Sequence, residues 1–392
     1  MTDKKNLFDY PIFALGFRPF FLLAGFSALA LIALWKNIYS GQLEANHYYV
    51  GNYWHAHEML LGYTTAVIAG FLLTAVRNWT GRPTATGGKL AMLCLVWLYG
   101  RILPFYAGMI PDGLIALIDF IFLPLLAWQI SIPIRQVGHY KSFIFIAFLG
   151  LMTLGNGMIH LEMLGLKEAT AWTGVNIILL AIMLIILVIA GRILPFFTER
   201  GLQGIIAVRD QALDNAAIIS AVVVFMLEIF SVSGFGLAIA SVTAALINTR
   251  RAANWYTQRV WYVPLLWILY MGYGWIILGF LLTAFSAYGV ILPTLPLHAF
   301  TMGGIGVLTL GMMSRVSLGH TGRILKASNA IVIAFVLLNA GVFIRIFLPI
   351  GFSGLYSTAI FISTFFWLAA FSLFIFVYWT VLTQPRIDGK QG

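Results

Sequence analysis

The sequence predicts an all-α polytopic membrane protein with about twelve transmembrane helices. Of its 392 residues, 61% are hydrophobic and 9% are charged, whereas an ordinary soluble domain has roughly 25% charged residues. Apolar runs such as 176–190 and 330–347 approach or reach the roughly 20 residues that a helix needs to cross the hydrocarbon layer. Similar runs recur along the whole chain, so we expect a single transmembrane helical domain over residues 1–392, embedded in the lipid bilayer.

Hydrophobic runs between loop-forming residues predict where each span begins and ends. The seventh and eighth spans are the least distinct, because only 231–236 separates them and the eighth is short. The predicted spans are 17–38, 54–76, 90–108, 113–134, 142–165, 172–193, 212–233, 235–249, 264–283, 296–316, 328–349 and 356–382.

The distribution of Lys and Arg predicts the orientation of these spans, because cytoplasmic loops retain positive charge. If the N-terminus is cytoplasmic, all but four of the 23 Lys and Arg fall at the cytoplasmic face. The four exceptions, which lie at or near outer ends of spans, are Lys36, Arg101, Lys167 and Arg345. We therefore expect both termini in the cytoplasm. The net charge of +10 is divided among short clusters, so nucleic-acid binding is not expected.

The histidines are distributed unequally between the two faces. His139 and His320 fall at the cytoplasmic face, and the other five fall on the outer side, where three helices can present imidazoles at one depth. Imidazole binds iron, copper and zinc, and a histidine in a bilayer is costly without a partner. For a single histidine, a hydrogen bond to a carbonyl or to interfacial water is the alternative. The predicted metal ligands are His55, His57, His298, His160 and His47.

The segment 54–63 carries the most specific local pattern. Residues two apart on a regular helix point about 200° away from each other, so His55 and His57 are expected to have different roles, as two ligands of different groups or as one ligand and its orienting partner. Glu58 is a candidate proton carrier or hydrogen-bond acceptor, with a solvated interfacial carboxylate as the alternative. Met59 and Met302 could ligate copper or haem iron, although packing is the commoner role of methionine.

Arginine within a span is costly, and Arg101 and Arg345 occur in similar sequences near outer helix ends. One interpretation is that both guanidinium groups pair with haem propionates. The alternative is that they extend to the membrane–water interface. A similar sequence around Arg192 at the opposite face weakens the first interpretation. Asp119 is a buried acid that could balance an arginine or pass protons, and Asn156 lies one turn before His160 on the same helical face.

A faint internal duplication relates the second predicted span to the tenth. It would bring His55 and His298 to matching depths on two helices, which suits two ligands of one cofactor. Chance similarity is the alternative. The matching pairs are His55-Ala56 with His298-Ala299, Met59 with Met302, and Thr80-Gly81-Arg82 with Thr321-Gly322-Arg323.

Four motifs along most of the chain resemble the NnrS family. They are Phe17-Arg18-Pro19-Phe20-Phe21, Trp54-His55-Ala56-His57-Glu58-Met59, Gly70-Phe71-Leu72-Leu73-Thr74-Ala75 leading to Asn78-Trp79-Thr80-Gly81, and Arg315-Val316-Ser317-Leu318-Gly319-His320-Thr321-Gly322-Arg323. The resemblance implies a haem- and copper-containing protein of the bacterial inner membrane, associated with denitrification and with the response to nitric oxide or nitrosative stress.

The motif residues of the family occur directly in this chain. The resemblance does not say which of them bind haem and which bind copper. His320 and Arg323 fall on the cytoplasmic side, where we expect a loop clamp or a second site. No Cys-x-x-Cys-His occurs and Cys94 is the single cysteine, so we expect non-covalent haem b, together with copper. The expected cofactor-binding residues are His55, His57, His160, His298, Arg101 and Arg345.

Three functions compete at this point. The first is a haem and copper redox or sensing protein acting on nitric oxide, with the electron donor and any catalysed reaction left open. The second is a transporter of a metal ion or small solute that uses the same histidines as transient ligands. The third, an accessory subunit of a larger complex, does not explain the clustering of the histidines.

Overall fold

The computed structural model describes residues 7–43 and 48–390, and these form helices and no strand. Twelve long helices occur within this described part. They are α1 (Phe17–Tyr39), α2 (Asn52–Thr80), α3 (Gly87–Ile102), α4 (Asp112–Gln136), α5 (Phe143–Met163), α6 (Ala171–Gly201), α7 (Gln211–Ile229), α8 (Phe235–Ala253), α9 (Pro264–Ser286), α10 (Thr294–His320), α11 (Asn329–Gly351) and α12 (Tyr356–Thr383). Short 3-10 helices extend or connect them at Leu7–Asp9, Pro11–Phe13, Leu103–Tyr106, Tyr140–Ser142, Gln258–Tyr262 and Ser353–Leu355.

The predicted all-α, multi-pass architecture is confirmed. In the described chain, eleven helices are long and apolar enough to cross a membrane. Helix α8 is the twelfth, and it has 19 residues with Arg250 and Arg251 in its last turn. The turn between α7 and α8 reverses the chain through Ser231 and Gly234, both with positive φ, so the two least distinct predicted spans are separate helices. The cytoplasmic location of the termini stays a prediction.

Contacts between Cα atoms group the helices into two compact units. Unit 1 contains α1 to α5, the first part of α6 up to Ala181, the segment Val316–Ile324 at the end of α10, and the chain from Ile375 onward. Unit 2 contains Ile182–Arg315 and Leu325–Phe374. The expectation of a single domain over the whole chain stays a prediction.

Helix α2 lies at the centre of unit 1. It packs against α1 on one side and α4 on another, while α3, α4 and α5 pack against one another in chain order. Small residues permit the close approach of helices in a membrane: a Cβ at Gly70 of α2 would lie 2.9 Å from the ring of Phe21 in α1. The first turns of α2 are thereby held among α3, α4 and α5, where the polar residues of unit 1 meet.

Helices α2 and α10 share an unusual internal order. Each begins with a short α-helical segment, continues as a π-helix over Glu58–Thr64 or Ala299–Val307, and returns to α-helix. Each is followed by a glycine in the left-handed region, Gly81 or Gly322. Because π-helices are rare and often occur at functional sites, this shared order supports the internal duplication that the sequence indicates.

Candidate metal site

His55 and His57 face different helices, as their spacing predicts. The His55 ring stacks on Trp35 of α1, with ring centroids 4.5 Å apart and planes inclined by 12°. His57 is buried and contacts Asp119 of α4 and Asn156 of α5. The two imidazoles at the start of α2 therefore occupy separate environments, and His57 is the one that meets other polar side chains in the interior of unit 1.

His57, Asp119 and His160 form a buried group that could hold a metal ion. One ligand atom from each residue can be chosen so that all three lie within 4.8 Å of one another. The Asp119 Oδ2 atom is 3.1 Å from His57 Nε2 and 2.9 Å from His160 Nε2. Two imidazoles and one carboxylate are a donor set that suits iron, copper and zinc.

The hydrogen bonds around His57 leave a lone pair directed at acceptor oxygens. Its Nδ1 lies 3.1 Å from Glu58 Oε1, and a proton on Nδ1 satisfies that carboxylate. The Nε2 then carries a lone pair, yet the Asp119 carboxylate is 3.1 Å and the Asn156 Oδ1 3.3 Å away. A nitrogen lone pair that faces acceptor oxygens is stable when a proton or a metal ion lies beside it, and the Tyr49 hydroxyl can donate that proton when no metal is bound. The carboxylate on Nδ1 is the usual orienting partner of a metal-bound histidine.

Two tyrosines from the segment before α2 complete the hydrogen bonding of the histidines. The Tyr49 hydroxyl is 2.9 Å from His57 Nε2, and the Tyr48 hydroxyl is 2.7 Å from His160 Nδ1. Burial raises the pKa of both hydroxyls, so they stay protonated at neutral pH. Because a hydroxyl both donates and accepts, Tyr48 can stabilise either tautomer of His160, including the one in which Nε2 binds a metal.

Arg101 connects the two carboxylates of the site. Its Nη1 donates to Glu58 Oε1 at 3.1 Å, and its Nη2 forms an ion pair with Asp119 Oδ1. With neutral histidines, two carboxylates and one guanidinium give this buried group a net charge of −1. A buried charge without compensation is costly, so the group favours binding a cation.

A small cavity adjoins this group. Its polar wall consists of Arg101, Asp119 and Asn156, and its apolar wall includes Leu61 and Phe122. It has room for about one water-sized molecule. The cavity could therefore hold one water-sized molecule on the carboxylate side of the site.

His298 and Arg345 lie in unit 2, where they belong to a second polar group. His298 Nδ1 is 2.7 Å from the carbonyl oxygen of Thr294, which fixes the tautomer whose Nε2 carries the lone pair. Arg345 donates from Nη2 to the Tyr356 hydroxyl at 3.0 Å, and this hydroxyl donates to Thr294 Oγ1 at 3.1 Å. The Nη1 of Arg345 is buried and has no hydrogen-bond partner among the described residues.

The predicted site residues thus divide into several environments. His57 and His160 meet, with their ring centroids 6.0 Å apart, and Arg101 pairs with carboxylates of the protein itself. A site made jointly by His55, His57, His160 and His298 stays a prediction, as do the haem roles of Arg101 and Arg345, and His47 lies outside the described residues. Tyr48 and Tyr49 were not expected, and Asp119 takes a more central place than the sequence indicated.

The sequence profile of the NnrS protein family matches residues 11–386. The match covers nearly the whole chain. The protein belongs to the NnrS family. No curated protein matches the chain at a significant level. Because the match includes α1 to α12 in full, both the candidate metal site of unit 1 and the polar group around His298 lie within the part of the chain that matches the family.

Proposed function

We propose that this protein is a haem- and copper-binding protein of the bacterial inner membrane that acts in the response to nitric oxide. Family membership supports the physiological role. The observation that carries the metal assignment is the buried group of His57, Asp119 and His160, whose donor atoms and net negative charge with neutral histidines suit a cation. Copper is the metal of the proposal because the resemblance to the NnrS family implies it, and the two imidazoles of the site can bind it.

The side chains around the proposed copper position and stabilise its ligands. Glu58 accepts the Nδ1 proton of His57 and so directs Nε2 toward the metal. Arg101 neutralises one of the two carboxylates, and Tyr49 can hold a proton next to Nε2. Bound copper and haem would supply electron transfer and coordination of nitric oxide. The cavity of about one water molecule in volume limits the ligand to a small one.

For haem, the proposal assigns the group around His298 in unit 2. The Nδ1 hydrogen bond to Thr294 leaves Nε2 in the tautomer that ligates iron. The buried Nη1 of Arg345 lacks a hydrogen-bond partner in the described part of the chain, and a carboxylate such as a haem propionate would satisfy it. His298→Ala should therefore remove the Soret absorption and leave the copper content unchanged.

Metal and haem analysis of the protein purified in maltoside detergent tests the proposal. The wild type should contain about one copper per chain and show a Soret band. Asp119→Asn should reduce the bound copper to less than about a tenth, because loss of even an outer partner of a ligand costs about 10–100-fold in affinity. Asp112→Asn, at the exposed start of the same helix, is the matched control and should keep its copper. A wild type with neither copper nor a Soret band contradicts the proposal.

A transporter is the second candidate, and one observation favours it. Helices α2 and α10 repeat the same α-π-α order in the two units, and internal repeats with interrupted helices are typical of transporters. Copper uptake by sealed proteoliposomes distinguishes the two functions. Uptake that His57→Ala abolishes would favour transport, whereas stable copper without uptake supports the resident cofactor.

A further inference from the structure

One end of unit 1 concentrates basic side chains, far from the metal site. Arg18 begins α1, Arg77 lies in the last turn of α2, Arg323 follows α10 and Arg386 follows α12. From His57 to Arg77, α2 rises by about 30 Å, so the two sites lie at opposite ends of this helix. The prediction from charge distribution makes this the cytoplasmic end.

Helix-end carbonyls hold two of these arginines in place. Arg18 is fully buried, and its Nη1 donates to the carbonyl oxygens of Leu382 at 3.0 Å and Gln384 at 2.7 Å. Arg386 donates from Nη1 to the carbonyl oxygen of His320 at 2.9 Å. The chain at and after the end of α12 thus contacts both Arg18 of α1 and the end of α10.

These cations act on one another across the cluster. The charges of Arg323 and Arg386 repel that of Arg18. The charges of Arg386 and Arg77 oppose a positive charge on His320. Such interactions are strong only at short range and in partly buried positions. Arg386 donates to the His320 carbonyl oxygen, and the His320 ring lies 5.7 Å from the ring of Phe17, the neighbour of Arg18; we call the four arginines and His320 the basic cluster.

The described carboxylates do not neutralise the basic cluster. Asp388 already pairs with Arg386: its two carboxylate oxygens accept hydrogen bonds from Arg386 Nε at 2.8 Å and Arg386 Nη2 at 2.6 Å. Within the described residues, neither Arg77 nor Arg323 forms an ion pair. The C-terminal ends of α2, α10 and α12 contribute roughly half a negative charge each. Four arginines therefore exceed Asp388 and three helix ends by roughly 1.5 charges.

Arg323 has unused hydrogen-bonding capacity in this cluster. It follows Gly322, whose φ of 75° turns the chain back after α10. Asp388 packs on that glycine, since an added Cβ would lie 2.9 Å from Asp388 Cγ. The Nη1 of Arg323 is buried without a hydrogen-bond partner in the described part of the structure. A planar guanidinium with unused donors matches the oxygens of a phosphate group.

We infer that the basic cluster binds a phosphate group, with Arg323 as its principal donor. The excess positive charge supplies the attraction, and the Arg323 guanidinium supplies a fixed pair of donors. The phosphate could belong to an anionic lipid headgroup at the inner surface or to soluble inorganic phosphate, because both present the same oxygens. The inference does not depend on haem or copper, since none of its residues belongs to the metal site.

Thermal unfolding of the whole protein in maltoside detergent, which contains no phosphate, tests the inference. One titration uses inorganic phosphate against chloride at matched ionic strength, and a second uses short-chain phosphatidylglycerol against phosphatidylcholine. The wild type should be stabilised by phosphate or by phosphatidylglycerol. Arg323→Gln should raise the apparent Kd of the active probe by about tenfold or more, because charge-assisted hydrogen bonds are lost.

The internal duplication provides the matched control. Arg82 is the counterpart of Arg323 in the first repeat and is exposed, so Arg82→Gln should respond like the wild type. Arg323→Lys keeps the charge and should bind with intermediate affinity. Stabilisation by phosphatidylglycerol alone assigns a lipid, and stabilisation by inorganic phosphate assigns a soluble anion. No stabilisation by either probe, or an equal response of the wild type and Arg323→Gln, overturns the inference.

Discussion

Helices α2 and α10 have the same backbone order but carry different chemistry. After the matched histidines His55 and His298, α2 continues with His57 and Glu58, whereas α10 has Phe300 and Thr301 at the corresponding positions. Phe300 packs against Phe225 and Phe280, with ring centroids 5.3 and 5.0 Å apart. Thr301 donates to the carbonyl oxygen of Leu297 in its own helix. Where unit 1 has the buried polar group of the candidate metal site, unit 2 has an aromatic cluster.

The two arginines after these helices show the same divergence. Arg101 in unit 1 pairs with two carboxylates, and Arg345 in unit 2 pairs with a tyrosine hydroxyl. The guanidinium of Arg345 also lies 4.8 Å from the centre of that tyrosine ring. Unit 1 thus retains an excess of negative charge suited to a cation, while unit 2 retains a positive charge suited to an anion. After helices with the same backbone order, the two units thus place polar groups of opposite net charge.

Replacing His57 by the residue of the other repeat is the strongest test of this comparison. His57→Phe removes a ligand and leaves an apolar ring at the centre of the cluster, so copper affinity should fall by at least about 100-fold, since outer partners alone are worth about 10–100-fold. Copper content after dialysis against a chelator measures the effect. His139→Ala removes a histidine that contacts Ser142 and should keep its copper. Full copper in His57→Phe would exclude His57 as a ligand.

Removal of the two arginines should give unequal losses of stability in the metal-free protein. Arg101→Gln leaves Glu58 and Asp119 without their buried cation, and breaking such a pair costs about 3–5 kcal/mol. Arg345→Gln loses a hydrogen bond and a cation–π contact, worth about 1–2 kcal/mol together. Denaturant unfolding of both variants in detergent measures the difference. Equal losses would show that the carboxylates of unit 1 are not charged, and added copper should reduce the loss in Arg101→Gln alone.

The sequence predicts the helices of this protein more completely than it predicts the partners in the site. Length and hydropathy identify the spans because each span must satisfy its own backbone hydrogen bonds. Helical periodicity also predicts that His55 and His57 face different neighbours. The pairing of Asp119 with His57 and Arg101 depends on how α2, α3 and α4 pack, which no local pattern specifies.

Two further features of the site were beyond local sequence patterns. No composition rule predicts the π-helical segments, although a His-Ala pair lies within one turn of the start of each. Tyr48 and Tyr49 precede α2 in a non-helical segment, and their contacts with His160 and His57 depend on how that segment folds over the helix ends. An aromatic pair eight residues before a histidine can be recognised as part of the site only when the fold of this segment is known.

The smallest effects are expected when one tyrosine of each unit is replaced by phenylalanine. Tyr356→Phe removes the hydroxyl that bonds Arg345 and Thr294 but keeps the ring below the guanidinium, so the free energy of unfolding should fall by about 1 kcal/mol. Its copper content should not change. Tyr48→Phe removes the partner of His160 Nδ1, and copper affinity should fall by about tenfold because the ligand loses its orienting hydrogen bond. Denaturant unfolding and copper titration of both variants measure these effects. Copper loss in Tyr356→Phe with retention in Tyr48→Phe would place the copper in unit 2 and reverse the assignment of the two sites.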